Sequence, residues 1–343
     1  MIETEMKTAK PKTFLFVLVL LLAALGVSGY QLLRLQMQPV NPADSSLVEV
    51  RLPENSTAGG VAVLLADNGL IRNEQVFLAY CRSQGLDKQL QAGLYEFNRS
   101  MSLPQLAALI AEGKVKSRSL TIPEGFTVEQ VGELLCQAEL CTPPQWQEAL
   151  AQVGDYVFLP KAELSPERRL EGFLYPDTYR IDEVSTAGEV LAMMLNRFST
   201  VWDQEFAAQA KGKDISIQEA VIVASLIERE ARIPDERKRI AGVIYNRLQT
   251  GMPLQIDATV IYSLGEHREI LTYKDLEVDS PYNTYKHRGL PAGPIASPGR
   301  ESIAAALAPE TNDYMYYVAR GDGSHQFSVT YNEHLAAKAR YGL

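Results

Sequence analysis

The sequence has few of the residues that build disulfide frameworks or metal centres. Its 343 residues include three cysteines and four histidines. A disulfide framework needs more cysteines than this, although Cys136 and Cys141 are close enough in sequence to bridge a short loop. The chain contains no CxxC or HExxH motif, and its histidines lack the spacing of metal ligands. We therefore expect no metal site.

Positive charge is also scarce. The 33 lysines and arginines are outnumbered by 42 aspartates and glutamates, which gives a net charge of −9. A protein that binds nucleic acid needs a basic surface, so this balance argues against a nucleic-acid partner. The chain is long enough for two or three domains with a sizeable core.

A long apolar run lies near the N-terminus. Residues 13–30 (TFLFVLVLLLAALGVSGY) carry no charge, and in a helix they would extend about 27 Å, close to the thickness of the hydrocarbon core. Three lysines precede the run, so the positive-inside rule predicts a single-pass anchor with a cytoplasmic tail, residues 1–12. The alternative is a cleaved signal peptide. Both interpretations put the rest of the chain on the outer side of the cell membrane, in the periplasm or outside the cell.

An internal repeat organises the exported part. After a polar linker, residues 31–46, the segment LPENSTAGGVAVLLADNGL aligns without gaps to IPEGFTVEQVGELLCQAEL seventy residues later. Each copy reads as a short strand, a Pro-Glu turn and a helix. The fold class is predicted to be α+β, with a small α+β module over residues 47–117 and a larger mixed α/β domain over residues 118–343.

One helix carries a carboxylate on its apolar stripe. Ser216 to Glu219 form a capping box, and Pro234 disfavours helix beyond it, so a helix is predicted from about residue 217 to 232. Glu228 falls within the apolar stripe, whereas Glu230 is predicted to face solvent. A carboxyl group in an apolar pocket has a raised pKa and can act as a general acid. The alternative is a structural ion pair between Glu228 and Arg232.

Polar and aromatic residues follow this helix at a short distance. The segment Tyr245–Gly265 contains Asn246, Gln255, Asp257 and Tyr262. Amides offer donors and acceptors to sugar hydroxyl and N-acetyl groups, and tyrosines offer flat faces to pyranose rings. Such a cleft beside a half-buried carboxyl group indicates cleavage of glycosidic bonds.

Five segments resemble one known family in order and spacing. They are EGFLYPDTY, ASLIERE, IAGVIYNRLQTGMPLQIDATVIY, PYNTYKHRGLPAGPIASPG and YYVARGDGSHQF. With the single anchor and the small module, which looks like a LysM-like domain, they resemble the YceG-like family of endolytic murein transglycosylases. The resemblance covers nearly all of the exported chain. The chain departs from the family pattern at Ala231, where threonine is usual, and within Gln255–Thr259, which leaves fine substrate preference open.

The resemblance implies residue roles and a chemistry. It assigns the catalytic role to Glu228. Composition and resemblance together predict substrate contacts for seven residues: Asn246, Gln255, Asp257, Tyr262, Tyr282, Asn283 and Tyr285. The implied enzyme is a lyase that cleaves the MurNAc-β-1,4-GlcNAc bond of nascent glycan strands without water and leaves a 1,6-anhydro end. One carboxyl group suffices because the nucleophile comes from the sugar, and no cofactor is required.

Two other functions remain open at this point. A hydrolytic muramidase would use Asp257 as a second carboxylate. A non-catalytic wall-binding or scaffold protein would be held by the LysM-like module and the anchor. The expected partners are peptidoglycan strands, the inner membrane through one helix and peptidoglycan synthases, because the family is thought to terminate strand growth.

Overall fold

A computed structural model describes residues 11–160, 164–183, 185–266, 268 and 270–342, except for the side chains of residues 11–19. Residues 1–10 of the predicted cytoplasmic tail therefore lie outside the described residues, as do the side chains of residues 13–19 of the predicted anchor. Across the residues that are described, no helix combines the length and the apolarity needed to cross a bilayer.

The chain alternates many helices with short strands. The helices are α1 Pro11–Gln36, α2 Ala58–Asp67, α3 Glu74–Gln84, α4 Leu103–Ala111, α5 Val128–Gln137, α6 Pro143–Ala151, α7 Pro166–Leu170, α8 Ala187–Val201, α9 Ala207–Lys213, α10 Ile217–Glu230, α11 Arg237–Thr250, α12 Asp257–Leu264, α13 Arg300–Leu307 and α14 Tyr331–Tyr341. The strands are β1 Leu47–Leu52, β2 Gly93–Asn98, β3 Ser117–Thr121, β4 Thr178–Asp182, β5 Tyr316–Ala319 and β6 His325–Ser328. This composition agrees with the predicted α+β class.

The strands pair into two-stranded sheets, β1 with β2, β3 with β4 and β5 with β6. The β1–β2 pair is antiparallel and runs from Leu47 opposite Asn98 to Leu52 opposite Gly93. The β5–β6 pair is an antiparallel hairpin in which Ala319 lies opposite His325. Its turn is closed by the Arg320 N–H, which donates to Ser324 at 2.7 Å, so the predicted hairpin at residues 320–323 is confirmed.

The described chain divides into two compact units. One consists of Met1–Arg118 with Asp182–Val184, and the other of Ser119–Ile181 with Ser185–Leu343. The first has a hydrophobic core built around Phe77, Tyr95 and Phe97. The second has a larger core that extends from Ile122 to Phe327. Each unit thus has a hydrophobic core of its own.

The predicted linker is more ordered than expected. Helix α1 continues to Gln36, and the residues after it are tied to the first unit. Arg72 donates to the carbonyls of Pro39 and Val40 at 2.8 and 2.9 Å. Arg99 forms an ion pair with Asp44 at 3.1 Å. Because backbone and side chain are both held, this segment is not a free spacer.

The internal repeat is visible in the backbone. Thr57 and Thr127 occupy equivalent positions, and each accepts a hydrogen bond from the first turn of its helix, α2 or α5. Two residues earlier, Asn55 and Gly125 both have positive φ, 59° and 78°. Asn and Gly tolerate this left-handed conformation better than other residues. The two copies therefore share one turn geometry as well as a sequence pattern.

Gly172 lies at a tightly packed point of the larger unit. It has φ +84°, and a Cβ atom there would lie 2.5 Å from Pro294 Cβ and 2.8 Å from Val221 Cγ1. We expect Gly172→Ala to destabilise the protein by roughly 2–4 kcal/mol, because it adds both backbone strain and overpacking. Urea denaturation of the purified protein measures this change.

The matched control is Gly188→Ala in α8, where the nearest atom to the added methyl group lies at 4.0 Å. Its stability should be unchanged or slightly higher, since alanine favours helix. Equal stability of the two variants would contradict the packing described for Gly172.

Candidate active site

Helix α10 is buried along most of its length. The Ser216 hydroxyl accepts from the Glu219 N–H and the Glu219 carboxylate accepts from the Ser216 N–H, which fixes the start of the helix as predicted. The helix ends at Glu230, two residues earlier than predicted. All residues from Ala220 to Ile227 are buried, and α10 packs against α11, α12 and α13. The middle of the helix therefore has no solvent face, and two carboxyl groups, those of Glu228 and Glu230, lie in its last turn.

Glu228 lies in a group of charged residues. Its side chain is 8% exposed and lies 3.8 Å from the Arg237 guanidinium. The Gly299 N–H donates to its Oε2 at 3.0 Å. Glu124 belongs to the same group, because partial burial and the Glu228 charge raise the pKa of Glu124. Glu228 thus sits between one cation and one further carboxyl group.

The predicted alternative, an ion pair between Glu228 and Arg232, is not formed. Arg232 follows the end of α10 and is exposed. The cation beside Glu228 is instead Arg237, whose Nε donates to Ser302 at 3.2 Å. The helix stops before an i,i+4 pair can form, because Ala231 already has an extended conformation with ψ 109°.

Glu230 differs from the prediction that it faces solvent. It is half-buried, and the Tyr317 hydroxyl donates to its Oε2 at 2.9 Å. Burial raises the pKa of Glu230, and the negative charge of Asp257 raises it further, against the lowering effects of Tyr317, His325 and Arg229. The helical periodicity placed Glu230 correctly on the face opposite Glu228, but strand β5 covers that face.

Asp257 and Tyr285 belong to the surroundings of Glu230. The Tyr285 hydroxyl donates to the Asp257 carboxylate. Burial raises the pKa of Tyr285 to a value far above its usual range, and the charges of Asp257 and Glu230 contribute in the same direction. Asp257 is exposed and Tyr285 is half-buried. Two of the predicted substrate residues therefore lie near one carboxyl group of the pair.

His325 contacts the ring of Tyr317 and is itself bonded to Glu236. The His325 ring nitrogen lies 2.7 Å from Glu236 Oε2, and its backbone N–H donates to Glu236 Oε1 at 3.0 Å. The His325 ring meets the Tyr317 ring edge-on with centroids 5.3 Å apart. This contact restricts the orientation of Tyr317 and hence of its hydrogen bond to Glu230.

The side-chain amides of Asn246 and Asn283 form hydrogen bonds to the protein backbone. The Asn246 amide donates to Asn312 O at 2.8 Å and to Tyr314 O at 3.0 Å. Asn283 is fully buried, and its amide donates to Leu276 O and Val278 O, both at 2.9 Å. Gln255 is exposed and has φ 51°. Of these three, Gln255 has the side chain open to solvent.

Tyr262 and Tyr282 hold an arginine between them. Their ring centroids are 5.0 Å apart, and the Arg168 guanidinium lies 4.6 Å from the Tyr262 centroid and 4.5 Å from that of Tyr282. Tyr282 is buried. The ring faces predicted to stack on sugars are thus already in contact with a cation.

Glu171 is a buried acid that the sequence reasoning missed. It is 3% exposed and accepts from the Tyr262 hydroxyl at 3.0 Å and from the Val128 N–H at 3.2 Å. Burial raises its pKa to about 8. The motif EGFLYPDTY begins with this residue, but its proline and aromatic residues indicated a shaped loop and gave no sign of a buried carboxyl group. Tyr317 and Glu124 were missed in the same way.

No metal centre is apparent in the ranges that the structure covers. There, histidine, cysteine, aspartate and glutamate side chains form no group of three or more suited to a metal ion. The Cys136 and Cys141 sulfurs lie 3.4 Å apart as free thiols.

Comparison with known proteins identifies similar chains. The profile of the YceG-like family matches residues 50–340. A Bacillus subtilis protein named endolytic murein transglycosylase is 32% identical over 319 residues, which cover 89% of this chain and 88% of the relative. A Streptococcus pneumoniae protein of the same name is 30% identical over 88% of this chain, and this chain spans 60% of its length.

A solved structure is also similar. The crystal structure of a YceG-like protein from Listeria monocytogenes superposes with a TM-score of 0.57 at 34% identity. The match covers 85% of this chain and 99% of the Listeria chain.

The pKa of Glu171 makes stability depend on pH. The folded protein keeps this carboxyl protonated up to about pH 8, whereas an unfolded glutamate ionises near 4.3. The folded state therefore binds the extra proton, and its free energy of unfolding falls as pH rises between these values. At about 1.36 kcal/mol per pKa unit, the loss attributable to Glu171 is roughly 3–5 kcal/mol by pH 9.

We expect Glu171→Gln to remove this loss, because glutamine keeps the shape and does not ionise. Denaturation of the wild-type protein and the variant at pH 5, 7 and 9 measures it. The variant should gain stability relative to the wild-type protein as pH rises. A constant difference across the three values would contradict a protonated Glu171.

Proposed function

Since this chain belongs to the YceG-like family, we propose that it is an endolytic murein transglycosylase. It cleaves MurNAc-β-1,4-GlcNAc bonds within nascent glycan strands, leaves 1,6-anhydroMurNAc ends and so terminates strand growth. The observation that carries the proposal is a half-buried carboxyl group of raised pKa at the end of α10, bonded to Tyr317 and beside Asp257 and Tyr285. The names of the relatives support the same activity.

The general acid is one of the two carboxyl groups at the end of α10. The resemblance assigns the role to Glu228, whose carboxyl group lies 3.8 Å from Arg237 and accepts a hydrogen bond from the Gly299 N–H. Glu230 has the surroundings that a general acid requires, because burial raises its pKa and keeps it protonated to higher pH. We therefore assign proton donation to Glu230 and a supporting role to Glu228.

In this mechanism one carboxyl group acts twice, first as a general acid and then as a general base. Glu230 donates its proton to the glycosidic oxygen as the bond from muramyl C1 to that oxygen breaks. The resulting carboxylate accepts the proton of the muramyl C6 hydroxyl as that oxygen attacks C1. The 1,6-anhydro ring closes and Glu230 is again protonated. Tyr317 stabilises the ionised intermediate state through its hydrogen bond to Oε2.

Substrate contacts are proposed for the predicted residues according to their exposure. Asp257 and Tyr285 are suited to contact the sugars next to Glu230, and Gln255 is exposed nearby along the chain. Tyr262 and Tyr282 are proposed to act through Arg168, which covers their rings. Asn246 and Asn283 hold the loops that shape the site.

The cellular setting is proposed from the sequence. Residues 13–30 anchor the chain in the membrane, and residues 118–343 act on peptidoglycan on the outer side. Residues 47–117 form the LysM-like module that binds glycan. Peptidoglycan synthases are the proposed neighbours, because strand termination acts on their product.

Two rival functions are distinguished by one experiment. Asp257, whose charge acts on Glu230, would serve a hydrolytic muramidase as the second carboxylate. A scaffold would bind glycan without cleaving it. Purified strands are incubated with the protein and their ends are analysed by mass spectrometry. Anhydro ends, lighter by one water, support the proposal; hydrated ends or no new ends contradict it.

Replacing each of the two acids in turn identifies the proton donor. We expect Glu230→Gln to lower the rate of anhydro-product formation by about 10²–10⁴-fold, because glutamine cannot deliver a carboxylic proton. Glu228→Gln should lower it by less than about tenfold, since it retains an acceptor for Gly299. Product assays on variants with normal thermal melts measure both. The reverse order of effects would assign the acid to Glu228.

Removing the Tyr317 hydroxyl should change the pH dependence. The Tyr317 hydrogen bond lowers the pKa of Glu230 against the larger effect of burial, so Tyr317→Phe should raise that pKa further. The basic limb of the kcat/KM profile, where Glu230 loses its proton, should then move to higher pH.

Tyr316→Phe, on the same strand, is the control and should leave the midpoint unchanged. A Tyr317→Phe profile that falls in height without moving would mean that Tyr317 supports only the fold.

A further inference from the structure

A large cleft lies within the second unit, next to the C-terminal end of α10. Its volume is about 1070 Å³, and its walls come from α5, α6, α7 and α12. Arg229, which lies between Glu228 and Glu230 in the sequence, also lines it. A cleft of this size accommodates a ligand as large as a short peptide. It therefore reaches the C-terminal end of the helix that carries the proposed acid.

The inner part of the cleft holds a cation without a full set of partners. Within the described residues, the Nη1 atom of Arg168 is buried and has no hydrogen-bond partner. The rings of Tyr262 and Tyr282 pack against the guanidinium group, with centroids 4.6 and 4.5 Å from its central carbon, but among the described residues no group bonds to its Nη1 edge. Buried charged donors are almost always paired in proteins, so this edge indicates an acceptor that comes from a ligand.

The nearest buried acid does not neutralise Arg168. Glu171 lies close enough to interact with it, but burial raises the pKa of Glu171 to about 8, so this group is mostly uncharged at pH 7. Arg168 also has no ion pair with any described carboxylate. The positive charge is thus available to a carboxylate of the ligand, which accepts planar, bidentate hydrogen bonds from a guanidinium.

The outer part of the cleft carries the opposite charge. Glu129, Glu133 and Glu266 line it, and all three are exposed. Their charges disfavour a ligand that is only anionic, such as a phosphate, and favour a ligand with a positive group some distance from its carboxylate. The cation in the inner part of the cleft and the carboxylates in its outer part are together complementary to a zwitterionic peptide.

We propose that this cleft binds the peptide stem of murein, with Arg168 paired to a stem carboxylate and the glutamates beside the free amine of the stem. This inference rests on the proposed function for the identity of the substrate. The cleft thereby directs the enzyme to strands that retain their peptides.

The test measures binding directly, so it does not depend on turnover. A synthetic stem tetrapeptide with a free carboxyl terminus and a free side-chain amine is titrated into the full-length protein by calorimetry. We expect binding, and we expect Arg168→Gln to weaken it by about tenfold or more, the value of a charge-assisted hydrogen bond. Arg340→Gln, an exposed arginine of α14, is the matched control and should bind like the wild-type protein.

Chemical modification of the peptide provides a second test that does not require a folded Arg168→Gln variant. Acetylating the amine should weaken binding to the wild-type protein, and it should have no effect on the variant Glu129→Gln, Glu133→Gln. No binding of the tetrapeptide, unchanged binding by a folded Arg168→Gln, or displacement of the peptide by chitotetraose would each overturn the proposal.

The two proposals fail separately. Peptide binding without any anhydro product would leave the cleft assignment intact and end the transglycosylase assignment. Formation of anhydro product without peptide binding would support the transglycosylase assignment and end the cleft assignment.

Discussion

A helix whose middle part, Ala220 to Ile227, is buried and whose last turn carries two carboxyl groups sets the main constraint on this structure. Burying an ionised carboxyl without partners is very costly, so each group must be paired, exposed or kept protonated. Glu228 is held by Arg237 and a backbone N–H. Glu230 is bonded to Tyr317, and its pKa is raised by burial. Elements as distant in sequence as α11, α13 and β5 are placed around α10 in a way that meets this requirement.

The sequence predicted local features well. The capping box of α10, the threonine caps of the repeat and the hairpin at residues 320–323 depend on neighbouring residues, and all are present. Such signals are short-range, because a cap or turn is decided within a few residues. The α+β class follows from the same patterns.

The sequence could not show which face of α10 is covered. Periodicity gives the angle of Glu230 around the helix axis, but strand β5, some 85 residues later, decides whether that angle faces solvent. Burial of Glu171 likewise depends on Tyr262, far away in the chain. Composition also fails to separate a ligand-binding amide from one that ties down a loop, which explains Asn246 and Asn283.

The segment of residues 281–299 owes its order to side chains that bond to the backbone. Asn283 bonds to two carbonyls, and Ser225 of α10 accepts from the Ile295 N–H at 3.1 Å. The backbone N–H of Gly125 donates to Ser297 at 2.8 Å. An irregular chain held at so many points keeps a fixed shape without secondary structure, which suits the wall of a binding site.

The two Pro-Glu turns of the repeat place their glutamates in different surroundings. Glu54 and Glu124 each follow a proline, and each is followed by a residue in the left-handed conformation. Glu54 is exposed and takes part in no described ion pair, whereas Glu124 shares the electrostatic surroundings of Glu228. The same turn geometry thus leaves one glutamate in solvent and brings the other close to a second carboxyl group, so the chemical surroundings of the two residues differ with no change of backbone.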